Sequence, residues 1–543
     1  MTNSQATMAD VVAAFKERGF NYVKRKPDFV MLEGPLATEH STHECFIFIN
    51  QDFSSPPAIV LKQIPSELRP IAPHIDPDGG ICYMARSTVT LNIFDPVGQM
   101  LSCLERARVV LGQILSGQAN SDLAGEFFAY WGSGHFPCYY DLATDDLSKA
   151  TCLANWDKRG NREPVLFVTD DEARTRYKGA ALGYQLFSMK IPVARVSTKI
   201  HPKPSLVRWP LANIDMFLEW QGALDKAASD EAKSKLFKMY KNGVTSGILI
   251  VESPVFSYGL LAFFDGETSR SLGYVAGEKF IEKSIVPLVG YRLDERYISQ
   301  RNIPNMKTLT GKRIAIVGCG TIGGYLADML AKAGAGTGGG QLSLIDPDNL
   351  HTQNLGRHVL GFKYLAQNKA QSLAHYIAVN LPDTSVKAMG VMVKEMNLTE
   401  ADLIIDATAE GAVASYLAKK YKKKATLTVW IEGPGVAVGG FLRAGEGHAC
   451  SHCLATHNRN GKYRTTVELI QPKFEGQGCE QDYVPFPATV SIKAACLGAE
   501  MVMDWVAGKV QPTLRTSVLS SDFTSASALA TPEPIEGCPA CTT

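Results

Sequence analysis

The chain has 543 residues, twelve cysteines and a formal net charge of +1, so it is long enough for more than one domain. The balanced charge gives no general attraction to nucleic acid or to an anionic membrane. The first residues lack the basic flank and apolar core of a secretory signal, and no apolar run is long enough to span a bilayer. We therefore expect a cytoplasmic protein whose cysteines are metal ligands, nucleophiles or core residues rather than disulfides.

Residues 1–150 combine helical and strand-like patterns. Val11, Val12 and Phe15 predict a first helix, and the runs "NYVKRK", "FVMLEGPL", "ECFIFIN" and "AIVLKQI" predict an antiparallel meander. An irregular loop, "PHIDPDGGICYM", follows, and helical periodicity then runs through "VGQMLSCLERARVVLGQIL" and "DLAGEFFAYW". This order predicts an α+β domain with one cysteine, Cys82, in its loop.

Residues 151–290 carry apolar strand-like runs ("EPVLFV", "IPVARV", "SGILIVES", "YGLLAFF") and one polar helical stretch, "DKAASDEAKSKLFKMYKN". No motif stands out in this region, and we interpret it as a connecting α/β domain.

Residues 291–543 begin with a nucleotide-binding pattern. Gly318, Gly320 and Gly323 form G-x-G-x-x-G between a predicted strand and a predicted helix, which is the context that this motif requires. Glycines let the backbone approach a phosphate, and a helix N-terminus offers it free N–H groups. The next strand ends in Asp346, whose carboxylate can accept ribose hydroxyls. The motif by itself fits NAD, FAD or ATP, and the runs "DLIIDATAEG" and "ATLTVWIEG" predict further buried parallel strands.

Two C-x-x-C pairs, Cys450 with Cys453 and Cys538 with Cys541, have the spacing of tetrahedral zinc ligands. Four sulfurs complete the zinc shell, so we predict a structural zinc site and treat the adjacent His448 as a bystander. A redox role for the pairs is the alternative.

Two other cysteines lie in loops, where a thiol can be accessible and reactive. Cys82 follows a Gly-Gly turn, and Cys479 lies in the polar, glycine-rich stretch between the two zinc pairs. Cys45, Cys103 and Cys496 fall within regular patterns and are predicted to be packing residues, as is Cys319 inside the glycine loop.

From "DERYISQRN" to its end the chain resembles the ThiF/MoeB and ubiquitin-activating family of adenylating enzymes. The motifs that carry the resemblance are the glycine loop, "IDPDNLHTQNLGRH", "AQNKAQS" and the paired zinc cysteines. The resemblance implies roles in nucleotide binding and catalysis for Arg301, Asp346, Asp348, Asn354, Arg357 and Lys369. It also implies that Cys479 is the acyl-accepting cysteine.

This region departs from the family at its magnesium residue. In "LIIDATAEG" the family's second acidic residue is replaced by Ala409, so Asp406 or Glu410 is left to serve Mg²⁺. A catalytically inactive scaffold remains open for this reason.

Residues 1–150 resemble a ubiquitin-conjugating domain, since His74, Ile75 and Asp76 followed by "GGIC" match the family's His-Pro-Asn and cysteine run. The match implies a thioester at Cys82, although the family's asparagine is absent. The whole chain resembles the fused conjugation enzymes of bacterial CBASS anti-phage systems. That implies an N-terminal ubiquitin-conjugating-like α+β domain, a central α/β linker domain (151–290) and a C-terminal Rossmann-like ThiF adenylation domain (291–543) with a four-cysteine zinc site.

The resemblance implies an ATP- and Mg²⁺-dependent relay. The C-terminus of a CD-NTase-like synthase would be adenylated, passed from Cys479 to Cys82, and joined to a lysine of a target protein or to a small amine. It also implies a homodimer. The alternatives are a ThiF/MoeB-type sulfur-carrier adenylating enzyme with an N-terminal adaptor and an NAD-dependent oxidoreductase, which leaves Lys369 and the cysteine pairs without a role.

Overall fold

A computed structural model describes residues 7–39, 41–84, 91–131, 136–143, 147, 150–155, 164–205, 208–254, 257–271, 277–471 and 484–541. The chain divides into two compact units. One comprises Met1–Tyr139, Asp146–Asp170 and Phe187–Tyr291, and the other comprises Tyr140–Asp145, Asp171–Leu186 and Arg292–Thr543. The boundaries at residues 150 and 290 stay predictions.

The N-terminal part has the predicted order of a helix, a four-stranded antiparallel meander, an irregular loop and two helices. The elements are α1 (Met8–Lys16), β1 (Asn21–Arg25), β2 (Phe29–Ala37), β3 (Thr42–Asn50), β4 (Ala58–Leu61), α2 (Pro96–Leu115) and α3 (Leu123–Trp131). Strands pair in the order β1-β2-β3-β4. Alternate residues of β3, including Cys45, Ile47 and Ile49, face the core that α1 and α2 cover.

The central part is built around a mixed eight-stranded sheet in the order β8-β6-β7-β5-β12-β11-β10-β9. Its strands are β5 (Phe136–Asp141), β6 (Thr151–Asn155), β7 (Val165–Thr169), β8 (Phe187–Met189), β9 (Val193–Ser197), β10 (Ser246–Glu252), β11 (Ser257–Phe263) and β12 (Ile285–Arg292). Its helices are α4 (Glu172–Ala181), α5 (Ile214–Leu224), α6 (Lys226–Lys241) and α7 (Gly266–Ser271). The strand and helix patterns of this region are thus confirmed.

The helix α3 buries its aromatic face in the core of this central part. Phe127 stacks on Trp131 and Trp220 with ring centroids 5.3 and 5.9 Å apart, and Tyr258 meets Phe127 edge-on at 5.4 Å. Stacked and edge-to-face pairs are the favoured aromatic geometries. The last helix of the conjugating-like region therefore also belongs to the core of the central sheet.

The second unit contains a buried ionic cluster around Lys178 of α4. The Lys178 Nζ lies 2.6 Å from a carboxylate oxygen of both Asp141 and Asp383, and it donates to the Leu293 carbonyl at 3.1 Å. A buried ammonium requires such partners, because removing it from water is costly. The cluster holds α4 to the C-terminal part of the chain.

The C-terminal part is a doubly wound sheet in the order β15-β14-β13-β16-β17-β18-β19-β20. The strands are β13 (Arg313–Val317), β14 (Gln341–Ile345), β15 (Val386–Met389), β16 (Leu403–Asp406), β17 (Ala425–Glu432), β18 (Ala437–Arg443), β19 (Leu514–Val518) and β20 (Leu529–Ala530). The helices are α8 (Glu295–Gln300), α9 (Thr321–Lys332), α10 (Lys369–Asn380), α11 (Gly411–Lys420), α12 (Ser451–Arg459) and α13 (Ala488–Ala507).

Five neighbouring strands of this sheet, from β15 to β17, are parallel. The chain runs outward from β13 to β14 and β15, and then returns to place β16 on the other side of β13. This arrangement makes a topological switch point beside β13, and ligands bind at the carboxyl ends of the strands at such points. The Rossmann-like architecture and the buried parallel strands β16 and β17 are confirmed.

Candidate active sites

The glycine loop lies at the switch point, and its glycines have different tasks. Gly318 has a φ of +88°, and a Cβ there would lie 2.9 Å from the Ala407 carbonyl carbon. A Cβ on Gly323 would collide with the Gly318 carbonyl, whereas one on Gly320 would meet nothing within 4 Å. The first and third glycines are therefore needed because any side chain at these positions would clash with neighbouring backbone atoms. Gly320, at the N-cap of α9, leaves the open space that a phosphate needs.

The backbone of Cys319 in this loop is held at both its N–H and its carbonyl. The Asp346 carboxylate accepts the Cys319 N–H at 2.7 Å, and His358 Nε2 donates to the Cys319 carbonyl at 2.8 Å. Nδ1 of His358 accepts the Leu360 N–H at 3.0 Å, which fixes the neutral tautomer. Burial lowers the pKa of His358 and thus favours this neutral form. Cys319 itself is fully buried, which confirms that it is a packing residue.

Asp346, Asp348 and Lys369 meet at the carboxyl end of β14. Asp346 is buried, its other oxygen accepts the Asp348 N–H at 2.8 Å, and burial raises the pKa of its carboxyl. The Lys369 ammonium lies 3.0 Å from Asp348 Oδ2 at the start of α10. Asn368 donates to the carbonyls of both aspartates and its Oδ1 caps α10. The structure thus brings these three predicted residues together beside the glycine loop.

Asn354, Arg357 and Arg301 make other contacts. Asn354 Oδ1 accepts the His351 N–H at 3.0 Å, within a single helical turn. The Arg357 guanidinium lies 4.2 Å from the centre of the Phe486 ring and donates to the Val484 carbonyl at 3.0 Å. Arg301 is exposed at the C-terminal end of α8, and no hydrogen bond or ion pair joins it to other predicted site residues within the described ranges. The phosphate roles of these side chains stay predictions.

Asp406 ends β16, directly across from Val317 at the end of β13. Its side chain is buried, with one oxygen bonded to the N–H and hydroxyl of Thr408 at 3.0 and 2.7 Å. The other oxygen, Oδ2, is buried without a hydrogen-bond partner in the described part of the chain. Asp406 Oδ2 is therefore available as a hydrogen-bond acceptor or cation ligand at the carboxyl end of β16, where the glycine loop also lies.

The four paired cysteines form one cluster in which all four sulfurs lie within 4.8 Å of one another. The Sγ separations are 3.9 Å for Cys450 to Cys453, 3.8 Å for Cys450 to Cys538 and 3.5 Å for Cys453 to Cys541. Sulfurs bound tetrahedrally to zinc at about 2.3 Å are about 3.8 Å apart. The chain therefore builds a site for a metal ion that ties its C-terminal residues to α12.

The predicted acyl-accepting residue, Cys479, lies outside the described residues, between positions 471 and 484. The other predicted packing cysteines are placed: Cys45 and Cys103 are fully buried, which confirms the prediction. Cys496 is half-buried, with its sulfur 4.0 Å from that of Met329.

Cys82 is the exposed member of the cysteines that the structure describes. It lies in the predicted irregular loop, and its N–H donates to the His74 carbonyl at 2.8 Å. Asp76 does not take the place of the missing asparagine in an obvious way, because its Oδ1 accepts the N–H groups of Asp78 and Gly80 at 2.9 and 2.7 Å. Asp76 thereby stabilises the loop.

Sequence reasoning missed the residues that support this loop from the helical side. His74, at a φ of +61°, has its Nδ1 2.6 Å from Glu126 Oε1 and its Nε2 3.0 Å from Asp122. Glu126 Oε2 also accepts the His74 N–H at 3.0 Å and the Tyr130 hydroxyl at 3.3 Å. The hydrogen bond with His74 lowers the pKa of Asp122. No sequence motif links these residues to Cys82. In the adenylation site, sequence reasoning also missed His358 and Asn368, but these lie next to the predicted residues Arg357 and Lys369.

Two family models match the chain in the order that the fold suggests. The prokaryotic E2 family B model matches residues 23–135, and the ThiF family model matches residues 295–540. The class of protein is therefore a fusion of a ubiquitin-conjugating-like domain with a ThiF-type, ubiquitin-activating-like adenylation domain.

The relatives identify the family within this class. The chain is 42% identical over 542 residues to the ATP-dependent ubiquitin transferase-like protein Cap2 of Pseudomonas aeruginosa, covering 98% of this chain and 97% of the relative. It is 25% identical to the Escherichia coli protein of the same name, covering 96% and 97%. The chain belongs to the Cap2 family of ATP-dependent ubiquitin transferase-like proteins. It is thus an ATP-dependent adenylating and conjugating enzyme rather than an NAD-dependent oxidoreductase.

Among solved structures, Escherichia coli MccB with ATP is similar over 42% of this chain and 66% of that chain, with 17% identity and a TM-score of 0.32. Within the described residues, no helix combines the length and apolarity needed to cross a membrane.

Proposed function

We propose that the enzyme adenylates the C-terminal carboxylate of a partner protein and conjugates it to an amine through two thioesters, first at Cys479 and then at Cys82. By the resemblance to CBASS enzymes, the partner is a CD-NTase-like synthase and the final acceptor is a lysine of a target protein or a small amine. The enzyme acts in the cytoplasm in anti-phage defence, as a homodimer.

ATP would occupy the switch point beside β13. Gly320 and the N-terminus of α9 would face the phosphates, and the Asp346 carboxylate would accept hydrogen bonds from the ribose. Lys369, which lies beside Asp348, would supply a positive charge to the phosphates. Bound Mg²⁺ would neutralise phosphate charge, and Asp406 Oδ2, which has no hydrogen-bond partner among the described residues, fits a cation ligand. We assign the four-cysteine site to structural Zn²⁺, because its sulfur separations fit a tetrahedral ion.

The relay has four bond exchanges. A partner carboxylate oxygen bonds to the α-phosphorus of ATP and pyrophosphate leaves, which gives an acyl-adenylate. The Cys479 thiolate attacks the acyl carbon, and AMP leaves. The Cys82 thiolate then takes the acyl group and Cys479 regains its thiolate. Finally, an amine attacks the Cys82 thioester, loses a proton and forms the amide as Cys82 leaves. Each thioester splits a difficult amide synthesis into easier steps.

The observation that carries the proposal is Cys82. A thiol nucleophile requires access, and Cys82 is exposed on a loop whose backbone is fixed by the Cys82 N–H to His74 carbonyl bond. It lies within the segment that matches the prokaryotic E2 family. A sulfur-carrier adenylating enzyme with an N-terminal adaptor does not use this thiol.

The test is non-reducing electrophoresis with ATP, Mg²⁺ and the neighbouring synthase, comparing Cys479→Ala, Cys82→Ala and the matched control Cys496→Ala. The relay predicts that loss of Cys479 removes both thioesters, loss of Cys82 spares the first, and loss of Cys496 changes neither. Unchanged amide formation in Cys82→Ala would overturn the relay and favour the adaptor alternative. Absence of both adducts in the unaltered enzyme, together with absent ATP–pyrophosphate exchange, would identify an inactive scaffold.

A further inference from the structure

Arg357 and Phe486 form a stacked pair in the C-terminal part of the chain. The guanidinium carbon of Arg357 lies 4.2 Å from the centre of the Phe486 ring, and a guanidinium nitrogen donates to the Val484 carbonyl at 3.0 Å. A cation at this distance from a ring is within the range of a cation–π contact. Val484 is 127 positions from Arg357 along the chain, so only the fold creates this arrangement.

The backbone that carries Arg357 is fixed beside the nucleotide loop. The Asn354 carbonyl accepts the N–H groups of Arg357 and His358 at 3.0 and 2.9 Å, which makes a single helical turn. His358 donates to the Cys319 carbonyl in the glycine loop at 2.8 Å. A Cβ on Gly324, in the first turn of α9, would lie 3.3 Å from His358 Cε1. The turn therefore packs against the loop and the helix start at which we place the phosphates of ATP.

Phe486 is held at the same edge of the sheet. It is half-buried, packs against the core of the C-terminal part and precedes Pro487, the N-cap of α13. A Cβ on Gly435, in the turn that follows β17, would lie 3.3 Å from the Phe486 Cβ. Because β13, β16 and β17 are parallel, this turn and the glycine loop both lie at the carboxyl ends of the strands. The stacked pair therefore lies at the edge where the proposed ATP site is.

The two contacts together define the orientation of the Arg357 guanidinium. The Phe486 ring sets the plane of the group, and the hydrogen bond to the Val484 carbonyl sets its rotation within that plane. Stacking uses only the face of a guanidinium and leaves its in-plane N–H groups to acceptors such as phosphate oxygens. A charged donor that is already oriented needs no reorganisation when charge develops in a transition state. Phe486 thus supplies what a flexible arginine side chain lacks.

We propose that Phe486 is a positioning residue for adenylation, which holds the Arg357 guanidinium in the orientation that neutralises charge on the phosphates of ATP. The inference rests on the proposed adenylation function. It deepens that function by giving a role to an aromatic residue ahead of α13, which acts through Arg357 rather than on the nucleotide itself.

The test measures ATP–pyrophosphate exchange by the full chain with the neighbouring synthase, as kcat and KM for ATP. Phe486→Leu keeps an apolar side chain but removes the ring face, and should lower kcat by roughly tenfold, with a smaller rise in KM. Phe486→Tyr keeps the ring face and should exchange within about twofold of the unaltered chain. Phe362→Ala removes a ring that is 77% exposed, and this matched control should leave exchange unchanged. Equal kcat in Phe486→Leu and the unaltered chain would overturn the proposal.

A double-mutant cycle separates positioning from packing. If Phe486 acts through Arg357, then Arg357→Ala combined with Phe486→Leu should exchange no more slowly than Arg357→Ala alone. Additive losses would show that Phe486 acts through the packing of α13, and would overturn the proposal. Thermal unfolding checks that each variant is folded, and Phe486→Met supplies a second apolar replacement if Phe486→Leu is unstable.

Equilibrium binding of an ATP analogue with a methylene group between its α- and β-phosphorus atoms distinguishes this inference from the proposed function. If the unaltered chain exchanges pyrophosphate and Phe486→Leu does so equally well, only the positioning role fails. If the unaltered chain catalyses no exchange, the adenylation function fails, and the positioning role is decided by binding. It holds if Phe486→Leu weakens analogue binding in the unaltered chain but not in Arg357→Ala, and it fails otherwise.

Discussion

The adenylation region and the conjugation region hold their reactive groups in different ways. In the first, Gly318, Asp346 and Asp406 come from the ends of adjacent strands, so the register of the sheet places them together. In the second, Cys82 lies in an irregular loop that depends on side chains of α3 and the turn before it, such as Glu126. A sheet edge therefore positions reactive groups through backbone geometry, whereas a loop needs long-range polar contacts.

The metal cluster should show the largest effect and should separate the two regions. We expect Cys450→Ser to lose stoichiometric zinc and to lower the melting temperature of the C-terminal part, because structural zinc contributes about 10–16 kcal/mol in small zinc domains. Zinc content by atomic absorption and calorimetry measure the two effects. Cys496→Ser, outside the cluster, should retain the metal. Unchanged zinc content in Cys450→Ser would contradict the assignment of the four cysteines to zinc. The Cys82 thiol should react with an alkylating reagent equally well in Cys450→Ser and in the unaltered chain, and a loss of this reaction would show that the two regions do not respond separately.

Lys369 should matter to adenylation alone. Removing its charge beside Asp348 in Lys369→Ala should reduce ATP–pyrophosphate exchange by about 10²–10³-fold, the size typical of a lost electrostatic contact in a transition state. Lys363→Ala, with an exposed lysine near the start of α10, is the matched control and should leave exchange unchanged. Exchange within twofold of normal in Lys369→Ala would remove this residue from the catalytic set.

Glu126 should matter to conjugation alone. Glu126→Gln weakens the contacts that hold His74, and hydrogen bonds to charged groups are worth about 1.5–3 kcal/mol. We expect the Cys82 thioester to form roughly tenfold or more slowly, because 1.4 kcal/mol corresponds to a factor of ten in rate, while the Cys479 thioester forms at its normal rate. Quenched-flow electrophoresis separates the two adducts. The exposed pair at Glu105 provides the control Glu105→Gln, and equal slowing of both thioesters would show that Glu126 has no specific role at the loop.

His358 should give the smallest effect, as a pH dependence of stability. Its folded pKa is lowered from the usual 6.5 by burial, so below pH 6.5 the unfolded chain binds a proton that the folded chain does not. Stability is therefore lost as pH falls from 6.5 toward the folded pKa, by at most about 1.4 kcal/mol per pH unit.

Urea unfolding at several pH values measures this slope. His358→Gln should flatten it, and His375→Gln, at an exposed position, should not. Equal slopes for the His358 variant and the unaltered chain would contradict the assignment of a neutral His358 that donates to the Cys319 carbonyl.

Candidate site residues could be predicted from the sequence where they lie in short motifs, but not where they come together from distant segments. The glycine loop, Asp346, Lys369 and both cysteine pairs could be selected as candidates because each belongs to a short motif at a strand end, a helix start or a turn. His358 and Asn368 are neighbours of motif residues in the sequence, but no pattern indicated a role for them. Glu126 and Asp122 could not be found, because they lie 52 and 48 residues from His74 along the chain.

The residue pattern alone predicted the order of the elements in the N-terminal region, the nucleotide-binding fold of the C-terminal region, and the thiols and carboxylates available for chemistry. In the central region it predicted four of the strands and one helix. Hydrophobic periodicity and turn residues act over a few positions, so they are readable without a fold. Only the folded chain buries Asp406 Oδ2 without a hydrogen-bond partner among the described residues, and only the folded chain holds the Cys319 backbone between Asp346 and His358. It also brings the two distant cysteine pairs together, as their spacing predicted. These features depend on burial and on contacts between distant segments, which only the packed chain defines.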